Sequence, residues 1–384
     1  MAVQFNVKSK KNNKMKVSVI TVLDNTNYGT YLQALATGIA IKRCGHDGEI
    51  VHYTRECMTP NGLSKTILKE RGLLRWINRC VLKSTKKTFV LRDKDYEFLR
   101  TYLPVTGEYV GFESLKANPP KADIYLTGSD QVWNSVYNRG IDRSFFLDYA
   151  PMGKRRIAYA ASIGMQAFPD VEKEKTVELL QKYHTITVRE SSAVKLLSDI
   201  GIDARMVLDP TLLLDKNEWT NVAKHYPFEV TEPYLLTYSV EYGNEDNYIK
   251  HYAQKIARKR GLKIYHVTYS EKSRSNYYDK VFTLATPDQF LNLMLNASYI
   301  VVSSFHGTAF SINFNKPFIT VSPKRFNSRV ESLLKLTGLE TRLVCDDSAD
   351  VETLGDIDYT SVNEKMRRER ENSMRILNEM LSGE

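Results

Sequence analysis

Cysteine is scarce. The chain has four, Cys44, Cys57, Cys80 and Cys345, and none sits in a CxxC or Cys/His pattern, so neither a zinc ligand set nor a disulfide framework is indicated and a reducing, cytoplasmic compartment is expected. Long apolar runs are missing too. No stretch approaches the roughly 18 residues of a membrane span, and the opening MAVQFNVKSKKNNKMKVSVI has no apolar segment ahead of a small-residue cleavage site, so it fails as a signal peptide. With 19 glycines and 12 prolines the composition is neither collagen-like nor of low complexity. The GxGxxG fingerprint is lacking, which leaves a dinucleotide unsupported, and there is no short repeat of solenoid type.

What the chain does have is length and positive charge. Its 384 residues, 42% hydrophobic and 26% charged, exceed what one ordinary core needs and point to two domains or three. Lys and Arg number 54 against 45 Asp and Glu, a net +9, which suits phosphate, nucleic acid or an anionic membrane without choosing among them.

Residues 1–14 are polar and basic and read as a flexible arm. Val17–Leu23 is a β-branched, doubly apolar run, as expected of a strand buried on both faces of a parallel sheet. It leads through DNTNYGT into a helix with Leu32, Leu35, Ala36, Ile39 and Ala40 on one face, stopping at Gly45. Glu49–Tyr53 completes a βαβ unit. The same grammar recurs in ADIYLTGSDQVWN, RRIAYAASIG and HTITVRESSAVKLLSDIG, with a further strand at Ala204–Leu208. It restarts at Tyr234–Val240 with a helix ending near Arg260, then KIYHVTY, DQFLNLMLNA, YIVVSS, GTAFSINFN and PFITV. Two α/β domains in series follow, 15–208 and 209–384, the second closed by a terminal helix over 362–381. Residues 61–92 interrupt the first domain with nine Lys/Arg against Glu70 alone. Leu63, Ile67, Leu74, Ile77 and Val81 recur there at near-helical spacing, so the segment reads as a basic amphipathic helix that either meets an anionic surface or packs on its own domain.

Polar residues collect where strands end. Asn25, Asn27, Tyr28 and Gly29 fill the first βα turn, where main-chain N–H groups face the sheet's carboxyl edge; they either meet a ligand or serve a turn that needs positive φ. Asp130, Gln131, Trp133 and Asn134 follow the LTGS strand, with Trp133 either stacking on a sugar ring or packing in the core. Arg189 closes the HTITV strand and either grips a carboxylate or phosphate in a two-pronged hydrogen bond or pairs with an acid such as Glu190. The sharpest signal is YIVVSSFHGTAFSINF. An apolar strand ends in Ser304, Phe305, His306, Gly307 and Thr308, so that His306 stands at the positive end of a helix, either as a proton donor or as a cap. Gly307 allows close approach there.

Taken in order, NYGTYLQA, TGSDQVWN, AYAASIG, TVRESSAVKLL, VLDPTLLL and SSFHGTAFSI resemble the polysaccharide pyruvyl transferase family over about three quarters of the chain. The resemblance implies two Rossmann-like domains facing across a cleft, as in GT-B glycosyltransferases. It also implies transfer of pyruvyl from phosphoenolpyruvate to two hydroxyls of a hexose, giving a cyclic ketal and phosphate. On this basis Arg189 is expected as a donor ligand, His306 as general acid, and Ser304, Phe305, Gly307 and Thr308 as donor-binding. Where many relatives carry an arginine two residues before the histidine, this chain has Ser304, and Arg325 or, better, Arg329 is expected to replace that charge, unless it pairs with an acid such as Glu331. Asp130 is the candidate base by position. Asn25, Asn27, Tyr28, Gly29, Gln131, Trp133 and Asn134 are expected toward the acceptor. The partners expected are phosphoenolpyruvate as donor substrate and a hexose-containing saccharide, lipid-linked or polymeric. If the acceptor is lipid-linked, 61–92 is the segment expected to meet an anionic inner membrane face. No metal or other cofactor and no nucleic acid are expected. Two readings compete: a nucleotide-sugar glycosyltransferase on the same frame, and a non-enzymatic binder of anionic surfaces whose affinity falls with salt.

Overall fold

A computed structural model of the chain describes residues 14–23, 27–59, 84–226, 231–240, 244–269, 276–322, 328–351 and 353–383, without the side chains of 84–92 and 244–246. Contacts divide it into two units. Unit 1 takes the chain up to Thr26, Thr30–Pro210 and Met374–Glu384, and unit 2 takes Asn27–Gly29 and Thr211–Ser373.

In unit 1, seven parallel strands, β1 (Lys16–Ile20), β2 (Asp47–Thr54), β3 (Val105–Val110), β4 (Ile124–Thr127), β5 (Arg155–Ala161), β6 (Thr185–Val188) and β7 (Arg205–Met206), lie in the order β3-β2-β1-β4-β5-β6-β7. β1 is central, pairing Val17 with Gly48 on one side and Ile124 on the other. That explains the complete burial of VSVI, Ser18 included, since residues facing helices on both sides have no solvent face. Helix α1 (Tyr28–Arg43) is buried on every side from Tyr28 to Ile41, more than the single apolar face expected of it. Its polar residues are satisfied internally: Gln33 Nε2 donates to Thr21 Oγ1 at 2.9 Å, and Thr37 donates to the Gln33 carbonyl at 2.8 Å. The remaining helices of this unit are α2 (Ser84–Tyr102), α3 (Gly111–Ala117), the short α4 (Ser135–Asn138), α5 (Asp170–Leu180) and α6 (Ser191–Ser198).

Unit 2 repeats the plan with β8 (Tyr234–Tyr238), β9 (Lys263–Thr268), β10 (Lys280–Thr283), β11 (Tyr299–Val302), β12 (Phe318–Val321) and β13 (Leu343–Val344), ordered β10-β9-β8-β11-β12-β13 and parallel throughout. Its helices are α7 (Lys216–Ala223), α8 (Asn244–Arg260), α9 (Pro287–Asn296), α10 (Phe305–Asn313), α11 (Ser328–Thr337) and the long α12 (Tyr359–Ser382). Both sheets are doubly wound, with the strand order reversing between β1 and β4 and between β8 and β11. Ligands of such sheets bind outside the carboxyl ends at this reversal.

Several expectations change. The division at 208/209 assigned everything after it to the second domain, yet Met374–Glu384 groups with unit 1. Its Ile376, Leu377, Met380 and Leu381 are buried, and the Arg155 guanidinium donates to the Leu381 carbonyl at 2.8 Å. Strands β3, β10 and β13 were not anticipated because they are edge or near-edge pieces without an apolar run, and β7 is shorter than Ala204–Leu208. Most of the basic segment 61–92 lies outside the described residues, as does the 1–14 arm up to residue 13; the backbone of 84–92 is the first half of α2. Among the described residues no helix is long and apolar enough to cross a membrane.

Candidate active site

At the strand-order reversal of unit 1, the loop after β4 turns sharply. Gly128, at φ 113°, cannot be replaced freely, since a Cβ there would lie 2.2 Å from the Tyr159 carbonyl oxygen. Asp130 follows at φ 64°. Its main-chain carbonyl accepts the N–H groups of Val132 at 2.8 Å and Ser162 at 2.9 Å. Its carboxylate accepts Thr30 Oγ1 at 3.1 Å, the Gln131 N–H at 2.8 Å and Arg189 Nη2 at 3.2 Å. Arg189 comes directly after β6, and its side chain has no exposure. Besides Asp130, its Nη1 donates to Asp209 at 2.6 Å and to Ser129 Oγ at 3.3 Å, and Nε stands 3.9 Å from Glu190. Burial works against the charge, but the carboxylates of Asp209, Asp130 and Glu190 outweigh it and hold the guanidinium above its ordinary pKa. Arg189 is thus the hub of a buried polar network rather than an open fork.

Residues expected beside it have structural partners. Trp133 is a core side chain, 2% exposed, stacked on Phe146 at 5.8 Å and donating to the Phe145 carbonyl at 3.2 Å. A ring so enclosed has no face for a sugar, which corrects the stacking expectation. Asn134 is fully buried and caps α4 by accepting the Tyr137 N–H at 2.9 Å, while half-buried Gln131 accepts from Asn134 at 2.6 Å. Asn25 lies outside the described residues.

At the reversal of unit 2, Ser303 and Ser239 bring the ends of β11 and β8 together, Oγ to Oγ at 3.1 Å. Ser304 caps α10, its Oγ accepting the Gly307 N–H at 3.0 Å. Thr308 donates to the Ser304 carbonyl at 3.0 Å and lies 2.8 Å from Thr320 Oγ1. A Cβ on Gly307 would meet Ser304 Oγ and Val302 at 2.9 Å, so that glycine serves the cap's packing. Ser304, Gly307 and Thr308 therefore build the turn that presents Phe305 and His306. His306 is 4% exposed in the first turn of α10, with the Phe305 ring 5.2 Å away and nearly perpendicular. The helix is held at its other end, where Asn313 donates to the carbonyls of Leu214 at 2.8 Å and Thr211 at 3.2 Å. Arg329, half-buried, stands in the first turn of α11, after β12 and so on the same carboxyl edge; Arg325 lies outside the described residues.

Asn27, Tyr28 and Gly29 also belong to unit 2. Tyr28 is fully buried between Tyr269, with ring centroids 4.1 Å apart, and Phe290, at 4.7 Å. Half-buried Asn27 accepts the Gly29 N–H at 3.0 Å and the Tyr238 hydroxyl at 3.3 Å. The aromatic partners and Asp209 were missed from sequence. VLDPT hinted at the latter, but nothing local pairs it with Arg189. Among the described residues no three His, Cys, Asp or Glu gather as metal ligands.

Two α/β units with these strand orders and polar strand ends define a GT-B-like protein, and solved structures agree. A Listeria monocytogenes protein described as a UDP-N-acetylglucosamine 2-epimerase is similar at TM-score 0.53 and 10% identity, over 94% of this chain and 90% of that one. The UDP-GlcNAc 2-epimerase of Neisseria meningitidis gives 0.52 and 10%, over 96% and 100%. At such identities the likeness is one of fold. No curated relative matches the chain. The family model for polysaccharide pyruvyl transferase matches residues 27–325, and the chain belongs to that family.

Proposed function

We propose that this protein transfers pyruvyl from phosphoenolpyruvate to two hydroxyls of a hexose in a saccharide acceptor, closing a cyclic ketal and releasing inorganic phosphate. The observation that carries the reading is a buried histidine in the first turn of α10, at the strand-order reversal of a chain in this family. His306 protonates C3 of the donor's enol, leaving C2 electron-poor. The first hydroxyl adds to C2, phosphate leaves with the C2–O electron pair, and the second hydroxyl closes the ring. Two hydroxyl protons are lost, one balancing the proton taken up at C3 and one leaving on phosphate.

Asp130 already accepts three hydrogen bonds, so the base step falls better to neutral His306 after it has given up its proton. The N–H groups of Phe305 and His306, and the Arg329 guanidinium, are the anion partners of the donor. Arg189, whose guanidinium is taken up by Asp130 and Asp209, is given no part in this step. Incubation with phosphoenolpyruvate and a galactosyl or mannosyl acceptor should release phosphate together with a ketal product, and His306→Ala should slow this by about a hundredfold or more. Release of nucleoside diphosphate from a nucleotide sugar, with no phosphate from phosphoenolpyruvate, would overturn the proposal.

A further inference from the structure

The Asn27–Gly29 segment belongs to the same unit as His306. A Cβ built on Gly29 would lie 2.0 Å from His306 Nδ1 and 2.1 Å from its Cγ, far inside any contact distance. The main chain at residue 29 therefore packs closely against the Nδ1–Cγ side of the imidazole. The segment cannot easily retreat. Tyr28 is sandwiched between Tyr269 and Phe290, with interplanar angles of 25° and 14°, and Asn27 ties the Gly29 N–H to the Tyr238 hydroxyl. With the segment pinned and α10 fixed at both ends, a side chain at residue 29 would displace the ring.

We propose that Gly29 is a positioning residue for His306, holding the imidazole in one orientation by packing bare main chain against its Nδ1–Cγ side, with Tyr28 and Asn27 as the anchors of that contact. The functional weight of this rests on the proposed acid role of His306, because proton transfer depends on ring orientation to within about 10–20°. The contact itself does not rest on it.

Four proteins test the idea: the wild type, Gly29→Ala, His306→Ala and the double variant. In the wild-type background Gly29→Ala should lower Tm by about 3 °C or more. In the His306→Ala background, where the ring is gone, the same change should cost almost nothing. The His306 ring signal, assigned by its loss in His306→Ala, should move in Gly29→Ala together with its titration midpoint, while the other histidines stay put. Phosphate release should show kcat down about tenfold or more with KM for phosphoenolpyruvate changed by less than about threefold. If Gly29→Ala alone fails to fold and the double variant folds, the proposal stands. Equal destabilisation in both backgrounds, failure of both to fold, or an unmoved His306 signal overturns it. A wild type that releases no phosphate from phosphoenolpyruvate overturns the proposed reaction instead, and leaves the stability cycle and the ring signal to be read on their own.

Discussion

Removing the Arg189 side chain would leave Asp130 and Asp209 buried without the cation that now stands 3.2 and 2.6 Å from them. Uncompensated buried charge of this kind costs about 3–5 kcal/mol. Arg189→Ala should therefore lose stability in denaturant titrations, and its loss of activity should follow the loss of folded protein. Arg189→Met combined with Asp130→Asn and Asp209→Leu, which removes both stranded carboxylates, should recover much of that stability. A fully stable Arg189→Ala would show that the network contributes nothing. Lys316 gives a prediction in pH. Burial, reinforced by Lys216, lowers its pKa to about 8; its Nζ donates to the Ala297 carbonyl at 2.9 Å. Between about 8 and about 10.4 the unfolded chain holds a proton that the folded chain has shed, so stability rises with pH across that window. Lys316→Met should flatten the rise, as read from Tm at pH 7.5 and 9.5.

Among elements, α10 combines a well-built start with complete burial. Losing the Ser304 hydroxyl strands the Gly307 N–H, so Ser304→Ala should cost about 1 kcal/mol. It should also impair turnover more than that stability loss explains, because the same turn presents His306. The basic segment 61–92 carries its own prediction. If it docks on anionic lipid, replacing Lys65, Arg71, Arg75 and Arg79 with Gln should weaken binding to phosphatidylserine-containing vesicles by on the order of 1 kcal/mol per charge; unchanged partitioning would retire a membrane role. The elements read well from sequence were those with the strongest pattern. β1 and β11 are central strands buried on both faces, and β6 alternates threonine with Ile186 and Val188. β3 reads VTGEYV, with every residue at least partly exposed, and an edge strand of that kind leaves no pattern to find. Helix α1 was recognised, but its total burial was not, since Thr30, Gln33 and Thr37 look like a solvent face until their internal partners are known.

For the whole molecule, the final segment matters most. Residues 374–384 group with unit 1 although they follow unit 2 in the chain, and four buried apolar side chains, Ile376, Leu377, Met380 and Leu381, lie within them. At about 1.5–3 kcal/mol each as an upper bound, their deletion should destabilise unit 1 more than unit 2. Differential scanning calorimetry of the chain truncated after Ser373 should show this as an early transition, and an unaltered thermogram would contradict it.

Local order was already set by the amino-acid sequence: apolar runs of strand length, turns rich in Asn and Gly, and helices following them are short-range consequences of burial and backbone preference. From these came the paired α/β plan, the polar strand ends and His306 in a helix's first turn. What each polar residue does there was decided by tertiary structure. Arg189 meets Asp130 and Asp209 across 59 and 20 residues of chain, and Gly29 meets His306 across a far longer span. Whether a charged or polar group faces ligand or is consumed by the protein depends on partners that only folding brings within a few ångströms.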